Sequence, residues 1–132
     1  MSEENVRIVM QMYEAYLAGD VDRALAYFHP DVAADFSVRG DTAPTEGRNA
    51  LSETVATWVS TWDDYSERIT DVRDTGNTVC VIATQTGRGK GSGVEIENTW
   101  GQLYTVQNGL ITSVTMYASP TEALEAAGLS ER

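Results

Sequence analysis

Apolar residues recur at helical spacing from the start of the chain. Val6, Val9, Met10, Tyr13 and Leu17 fall on one face, with Tyr16 about one turn beyond Tyr13, which predicts a helix over 6–17. Gly19 can end it in the left-handed conformation, and Asp20 can cap a second helix whose apolar face carries Val21, Leu25 and Phe28 and which Pro30 stops. A short strand is expected over 32–38, then a loop over 40–47 with Pro44 between two glycines. Leu51, Val55, Trp58, Val59 and Trp62 share one face of a third helix over 49–62. The pattern then changes to strands. Ile69 and Val72 mark the first, and Gly76-Asn77 turns the chain into the second over 78–86. Gly87, Gly89, Gly91 and Gly93, interleaved with Arg88 and Lys90, form a connection to a long strand over 94–106. Asn108-Gly109 is a hairpin signal before a last strand over 110–117. Ser119-Pro120-Thr121-Glu122 combines an N-cap, a proline at the first helical position and a capping glutamate, and Gly128 stops the helix that follows.

Helices, one strand, a helix and then a four-strand meander indicate an α+β fold rather than a parallel α/β sheet. No repeat or linker divides the chain, so 1–132 reads as one domain. A chain of 132 residues buries roughly two-thirds of its unfolded surface, enough for a core without metal or disulfide staples. Nine Lys and Arg against twenty Asp and Glu give a net charge of −11. Nucleic acid and anionic membrane surfaces are therefore poor partners, because both need basic clusters. The sequence shows no leader pattern and no apolar run of membrane-spanning length, so a cytoplasmic location is the expectation.

Candidate chemistry narrows the picture further. Cys80 is the single cysteine and sits in Val79-Cys80-Val81-Ile82-Ala83, which reads as a buried thiol and excludes a cysteine metal cluster. His29 is the single histidine. In His29-Pro30-Asp31 it is either a general base near a pocket mouth or a residue bonding local backbone, and one histidine without neighbouring ligands builds no zinc or iron site. No metal or cofactor motif is present. On the long strand, Asn98, Trp100, Gln102, Tyr104 and Val106 share one face, assigned to the interior, while Glu95, Glu97, Thr99, Leu103 and Thr105 share the other. Large rings among a few amides and tyrosines are the usual lining of a small-molecule pocket. The competing reading is an interior filled by Trp58, Trp62 and Trp100.

The order of several short motifs resembles the nuclear transport factor 2-like superfamily, and within it the SnoaL-like and ketosteroid-isomerase-like branch. Its carriers are Tyr13-Glu14-Ala15-Tyr16-Leu17-Ala18-Gly19-Asp20, Phe28-His29-Pro30-Asp31-Val32, Gly47-Arg48-Asn49-Ala50, Asn108-Gly109-Leu110-Ile111 and the run from Glu122 to Leu129. The resemblance implies a cone, a curved mixed sheet wrapped around N-terminal helices with a pocket at its open end, and a homodimer paired through the outer sheet face. Leu103, Tyr117 and the threonine-rich outer face are the expected contacts. It does not imply one activity, because the superfamily includes isomerases, cyclases, dehydratases, epoxide hydrolases and binding subunits.

Carried over residue by residue, a steroid-isomerase-like site finds its helix tyrosine at Tyr13. It finds Phe36 where the strand base belongs, with Asp35 one step away on the opposite face, and Gln102 where the second acid belongs. An epoxide-hydrolase-like site lacks its Arg-x-Asp run. A SnoaL-like cyclase site needs one carboxylate in an aromatic pocket. Asp35, Asp41, Glu46 and Glu97 lie near the expected rim, and each reads first as a solvated charge. Three functions stay open. The first is a binding protein for a hydrophobic or ring-bearing metabolite, lined by Tyr16, Phe36, Trp58, Trp62, Asn98, Trp100, Gln102, Tyr104 and Met116. The second is a cofactor-independent isomerase, cyclase or dehydratase using Tyr13, Asp35 or His29. The third is a dimerising module without chemistry.

Overall fold

The computed structural model describes residues 2–40 and 42–129. Helix α1 (Ser2–Leu17) buries Val9, Met12, Tyr13 and Ala15, the stripe that helical periodicity selects. Gly19, at φ +82°, turns the chain. Asp20 then accepts the Arg23 N–H and caps α2 (Val21–Leu25). Strand β1 (Phe28–Asp35) comes next, then a 3-10 turn (Ser37–Arg39), β2 (Thr45–Glu46) and α3 (Arg48–Ser60). The meander is β3 (Trp62–Asp74), β4 (Thr78–Gly89), β5 (Glu95–Gln107) and β6 (Leu110–Tyr117), and α4 (Pro120–Ala126) closes the chain. Ser119 caps α4 by accepting the Glu122 N–H, with Pro120 at the first turn, as the Ser-Pro-Thr-Glu signal predicts.

Three boundaries differ from the sequence pattern. The second helix stops at Leu25, so Phe28 opens a strand instead of closing a helix face. That strand covers 28–35, not 32–38. Pro30 interrupts it rather than ending a helix: it offers no N–H, and the register between β1 and β6 shifts between Phe28 and Ala33. The third helix ends at Ser60, and Trp62 begins β3. Trp62 pairs with Gly89, and its side chain lies over Gly87 and Gly89, where no β-carbon competes for the space.

Among the described residues, six strands form one mixed sheet in the order β2-β1-β6-β5-β4-β3, with β1 parallel to β6 and every other pair antiparallel. Register shifts in β3, between Asp63 and Ser66 and between Ile69 and Asp71, and in β5, between Thr105 and Val106, bend the sheet. Its inner face carries Val79 and Val81 of β4, Gln102, Tyr104 and Val106 of β5, and Val114 and Met116 of β6, packed around α1, α2 and α3.

Helix α4 lies on the outer face. Ala123 and Leu124 pack on Cys80 and Ile82, with Leu103 and Tyr117 beside them. Leu103 and Tyr117, expected as dimer contacts, are therefore packed against the chain's own last helix. Cys80 is a buried free thiol beneath that helix, and burial pushes its pKa up. The helix comes close to the strand because residue 101 is glycine: a β-carbon there would collide with the Ala123 methyl.

Replacing Gly101 with Ala should cost about 1–3 kcal/mol, the usual range for overpacking. Urea unfolding should show a lower midpoint with an unchanged slope, and an unchanged midpoint would mean that α4 sits loosely on the sheet.

Candidate functional site

A cavity of about 550 Å³ opens between the helices and the inner face of the sheet. This lies within the ordinary range for small-molecule sites, about 300–1,000 Å³. Trp58 and Trp62 pack edge to face, with ring centroids 5.3 Å apart, and Trp100 packs separately against the main core. The three tryptophans thus leave the interior open.

Two groups of polar side chains face this space. The first centres on Glu67, the only carboxylate among the described residues that line it. Tyr65, Glu67 and Ile69 alternate along one face of β3, and the register sets Glu67 directly opposite Gln85 of β4. The Tyr65 hydroxyl donates to Glu67 Oε1 at 3.3 Å, and Gln85 Nε2 donates to the same oxygen at 3.4 Å. Burial holds the Glu67 carboxyl above the usual carboxylate range, while the two hydrogen bonds and the Arg39 guanidinium pull in the opposite direction. Gln85 is 3% exposed, and its Oε1 has no hydrogen-bond partner among the described residues.

The second group joins α1 to β5. Tyr13 donates to Gln102 Oε1 at 2.5 Å, Tyr104 donates to the same oxygen at 2.6 Å, and the two phenolic oxygens are 2.7 Å apart. The rings of Tyr13 and Tyr104 meet edge to face at 5.9 Å. Burial raises the pKa of Tyr13, Tyr16, Tyr65 and Tyr104, so all four stay protonated at neutral pH.

Arg39 contributes the cation. It ends the 3-10 turn, and its guanidinium lies 4.8 Å from the Phe36 ring centroid and 4.7 Å from that of Trp58. Asp35 shapes this turn: its Oδ1 accepts the Ser37 N–H at 3.0 Å and the Ser37 hydroxyl at 2.5 Å. Those two bonds hold the Asp35 pKa below its ordinary value.

Of the residues expected in the pocket, Tyr13, Tyr16, Phe36, Trp58, Gln102 and Tyr104 line the cavity. Trp62, Asn98, Trp100 and Met116 do not. Trp62 is drawn away by leaving α3 for β3, and Trp100 and Met116 are taken up by core packing. Asn98 opposes Gln85 on the sheet but stands outside the lining. Asp35 and His29 do not face the cavity. Asp35 borders a separate hollow with Glu46, on the side away from Phe36. His29 Nδ1 accepts the Asp31 N–H at 3.0 Å, the local bonding that a His-Pro-Asp segment favours. Glu97 is exposed on β5, and Asp41 lies outside the described residues. The pattern reading missed Glu67, Tyr65, Gln85 and Arg39. One signal was available for two of them: Tyr65 and Glu67 stand four and two residues before Ile69, on the face that an apolar strand residue marks as inward.

Among the described residues, no group of three or more His, Cys, Asp or Glu side chains is placed to hold a metal ion, and no helix is long and apolar enough to cross a membrane.

The family model for the SnoaL-like domain matches residues 9–114. Among solved structures, the chain is similar to a protein from Jannaschia sp. CCS1 named as a SnoaL-like polyketide cyclase, with TM-score 0.78 and 18% identity over 99% of this chain and 94% of that one. A protein from Catenulispora acidiphila with a ketosteroid isomerase-like fold, in complex with trimethylamine, gives TM-score 0.71 and 23% identity over 92% of each chain. One from Xanthomonas campestris pv. campestris named as a polyketide cyclase gives TM-score 0.69 and 24% identity over 96% and 98%. At these identities the likeness establishes the nuclear transport factor 2-like fold. No curated protein matches the chain.

The raised pKa of Glu67 has a consequence for stability. Between its unfolded value, near 4.5, and its higher folded value, the native protein holds the extra proton, so stability falls as pH rises through that window. Glu67→Gln removes the titration. The variant should melt at a higher temperature than the parent at pH 7–8, and the gain should vanish below pH 4.5. Thermal unfolding followed by circular dichroism across this range checks it; a gain that does not vary with pH would put the carboxyl in solvent.

Proposed function

Since this chain belongs to the SnoaL-like family, we propose that it binds a hydrophobic, ring-bearing metabolite and catalyses a cofactor-independent proton transfer on it, with Glu67 as the acid and base. The observation that carries the reading is Glu67 itself. Among the described lining residues it is the single carboxylate, half-buried and raised in pKa, in a cavity walled mainly by rings and aliphatic side chains with Arg39, Gln85 and Gln102 among them. General bases are tuned upward by burial in this way.

The chemistry follows from the two polar groups. The Glu67 carboxylate removes a proton from a carbon beside a substrate carbonyl. The C–H bond breaks, its electron pair moves into the carbonyl, and an enolate oxygen develops. The Tyr13, Tyr104 and Gln102 triangle suits that oxygen. Three short contacts share two hydroxyl hydrogens, so with Gln102 Oε1 accepting from both tyrosines the contact between them has none. With the amide turned so that Nε2 donates to both, one tyrosine donates to the other, and one phenolic hydrogen remains for the substrate oxygen. In a β,γ-unsaturated substrate Glu67 then returns its proton to the far carbon of the dienolate, shifting the double bond. Alternatively the enolate carbon attacks a second carbonyl carbon of the same molecule, whose π pair moves onto its oxygen and takes the proton back from Glu67, closing a ring with a hydroxyl on it. Neither route changes the oxidation level overall. Tyr65 and Gln85 hold the Glu67 carboxyl in place.

The names of the Jannaschia and Xanthomonas relatives support this class of substrate. Asp35 and His29 have no role in the proposal, because their side chains bond local backbone or turn residues outside the cavity.

Deuterium uptake from D₂O beside the carbonyl of 2-tetralone, followed by proton NMR, tests the chemistry. Glu67→Gln should lower the enzyme-dependent rate by about 10²–10⁴-fold, the usual contribution of a positioned acid or base. The parent rate should rise with pH through the raised Glu67 pKa, because the carboxylate is the base. Gln85→Leu removes a bond to the charged form and should move that limb to higher pH. Equal exchange in the parent and Glu67→Gln would sink the assignment.

A further inference from the structure

The cavity is chemically divided along its length. Its carboxyl, amide and phenol groups come from the inner face of α1 and from the sheet and its cation from Arg39 of the 3-10 turn, whereas the α1–α2 turn lends Leu17, Gly19 and Val21, and α3 lends Leu51, Val55, Ala56 and Val59 beside Trp58 and Ser52. The lining residues that also reach solvent lie mostly on that aliphatic side: Leu17, Gly19 and Val21 on the turn, and Ala56 on α3. Leu17 and Val21 are 49% and 48% exposed. They are two of the four large hydrophobic residues left exposed among the described residues, and both belong to this cavity. Leu17, Gly19, Val21 and Ala56 carry no charge themselves, while Asp20 and Asp22, which flank Val21 in the chain, stand outside the lining.

We propose that the ligand is an amphiphile: an oxygenated ring that enters toward Glu67 and an unbranched apolar tail that leaves the cavity between Leu17 and Val21 on one side and α3 on the other. The proposal rests on the small-molecule reading above and adds the tail. A ring compound without one would sit inside and leave Leu17 and Val21 wet. A tail covers both, and each further methylene removed from water strengthens binding about fourfold. Val55 and Val59, half-buried on α3, continue the same aliphatic track. A β-carbon at Gly19 would meet nothing within 4 Å, so the turn borders open space there.

A homologous series of 4-n-alkylphenols, from ethyl to octyl, measured by isothermal titration calorimetry on the full chain, tests this directly. For the parent protein the dissociation constant should fall about threefold to fourfold per methylene through the middle of the series. In the double variant Leu17→Asn with Val21→Asn, the dependence on chain length should flatten, so that octylphenol loses far more affinity than ethylphenol. Glu67→Gln should alter every member by a similar factor and keep the slope. Both rim residues are half exposed, so the double variant should fold, and far-UV circular dichroism verifies that. If short and long members bind the parent equally, or if the slope survives in the double variant, the tail assignment is overturned while the pocket reading stands. Failure of every member to bind overturns both. A parent dimer that the double variant converts to a monomer, seen by analytical ultracentrifugation, would give the rim to a second copy and overturn the tail assignment alone.

Discussion

The burial of α1 in the hollow of the bent sheet is the interaction on which the rest of the molecule depends. Val9 and Ala15 are fully enclosed, and Met12 and Tyr13 nearly so. That stripe removes the apolar inner faces of β4, β5 and β6 from water, which is the dominant favourable contribution to a fold of this size. It also limits how far the sheet can close. A helix with side chains is about 10–12 Å across, so a sheet wrapped around one cannot collapse on itself. Where α1 ends at Leu17, the space it held open continues as the cavity.

Tyr13 links this packing to the site. Its ring belongs to the core, yet its hydroxyl meets Gln102 and Tyr104 of β5, about ninety residues away in the chain. Buried hydroxyls and amides need partners, so the three groups satisfy one another where the apolar core gives way to the cavity. Glu67 is placed differently. It stands near the edge of the sheet, on a strand whose bulges turn Tyr65 and Glu67 inward, with Gln85 opposite. Its raised pKa records what this position costs the folded state, and the same raised pKa is what suits it to the proposed chemistry.

The outer face has its own logic. Gly101 lets α4 lie close on β5, so Cys80, Ile82, Leu103 and Tyr117 are packed by the chain itself. The cysteine that the sequence marks as buried is buried, under a helix rather than in the central core. Asp35 and His29 show the same economy. Each is a polar residue next to a turn or a proline that bonds nearby groups, and neither reaches across the fold.

Much was legible in the residue pattern because it depends on local rules. Helical periodicity in 6–17, the Ser119 cap and the Asn108-Gly109 turn each specify backbone geometry within a few residues, and all three stand in the structure. The period of two on β5 put Gln102 and Tyr104 inward, because successive strand residues must alternate faces. Motif order pointed to the SnoaL-like family, and the family model bears that out. The candidate site was only half visible. Glu67 sits in Asp63-Asp64-Tyr65-Ser66-Glu67-Arg68, a run whose charge reads as solvent-facing. Arg39 follows a turn of its own, and Trp62 had the spacing to continue a helix. Whether a charged residue meets water or a cavity is decided by how sharply the sheet bends and which strands become neighbours. Those are properties of contacts between distant segments: the period of two from Ile69 gives Glu67 a face, but composition, spacing and periodicity do not say what that face meets.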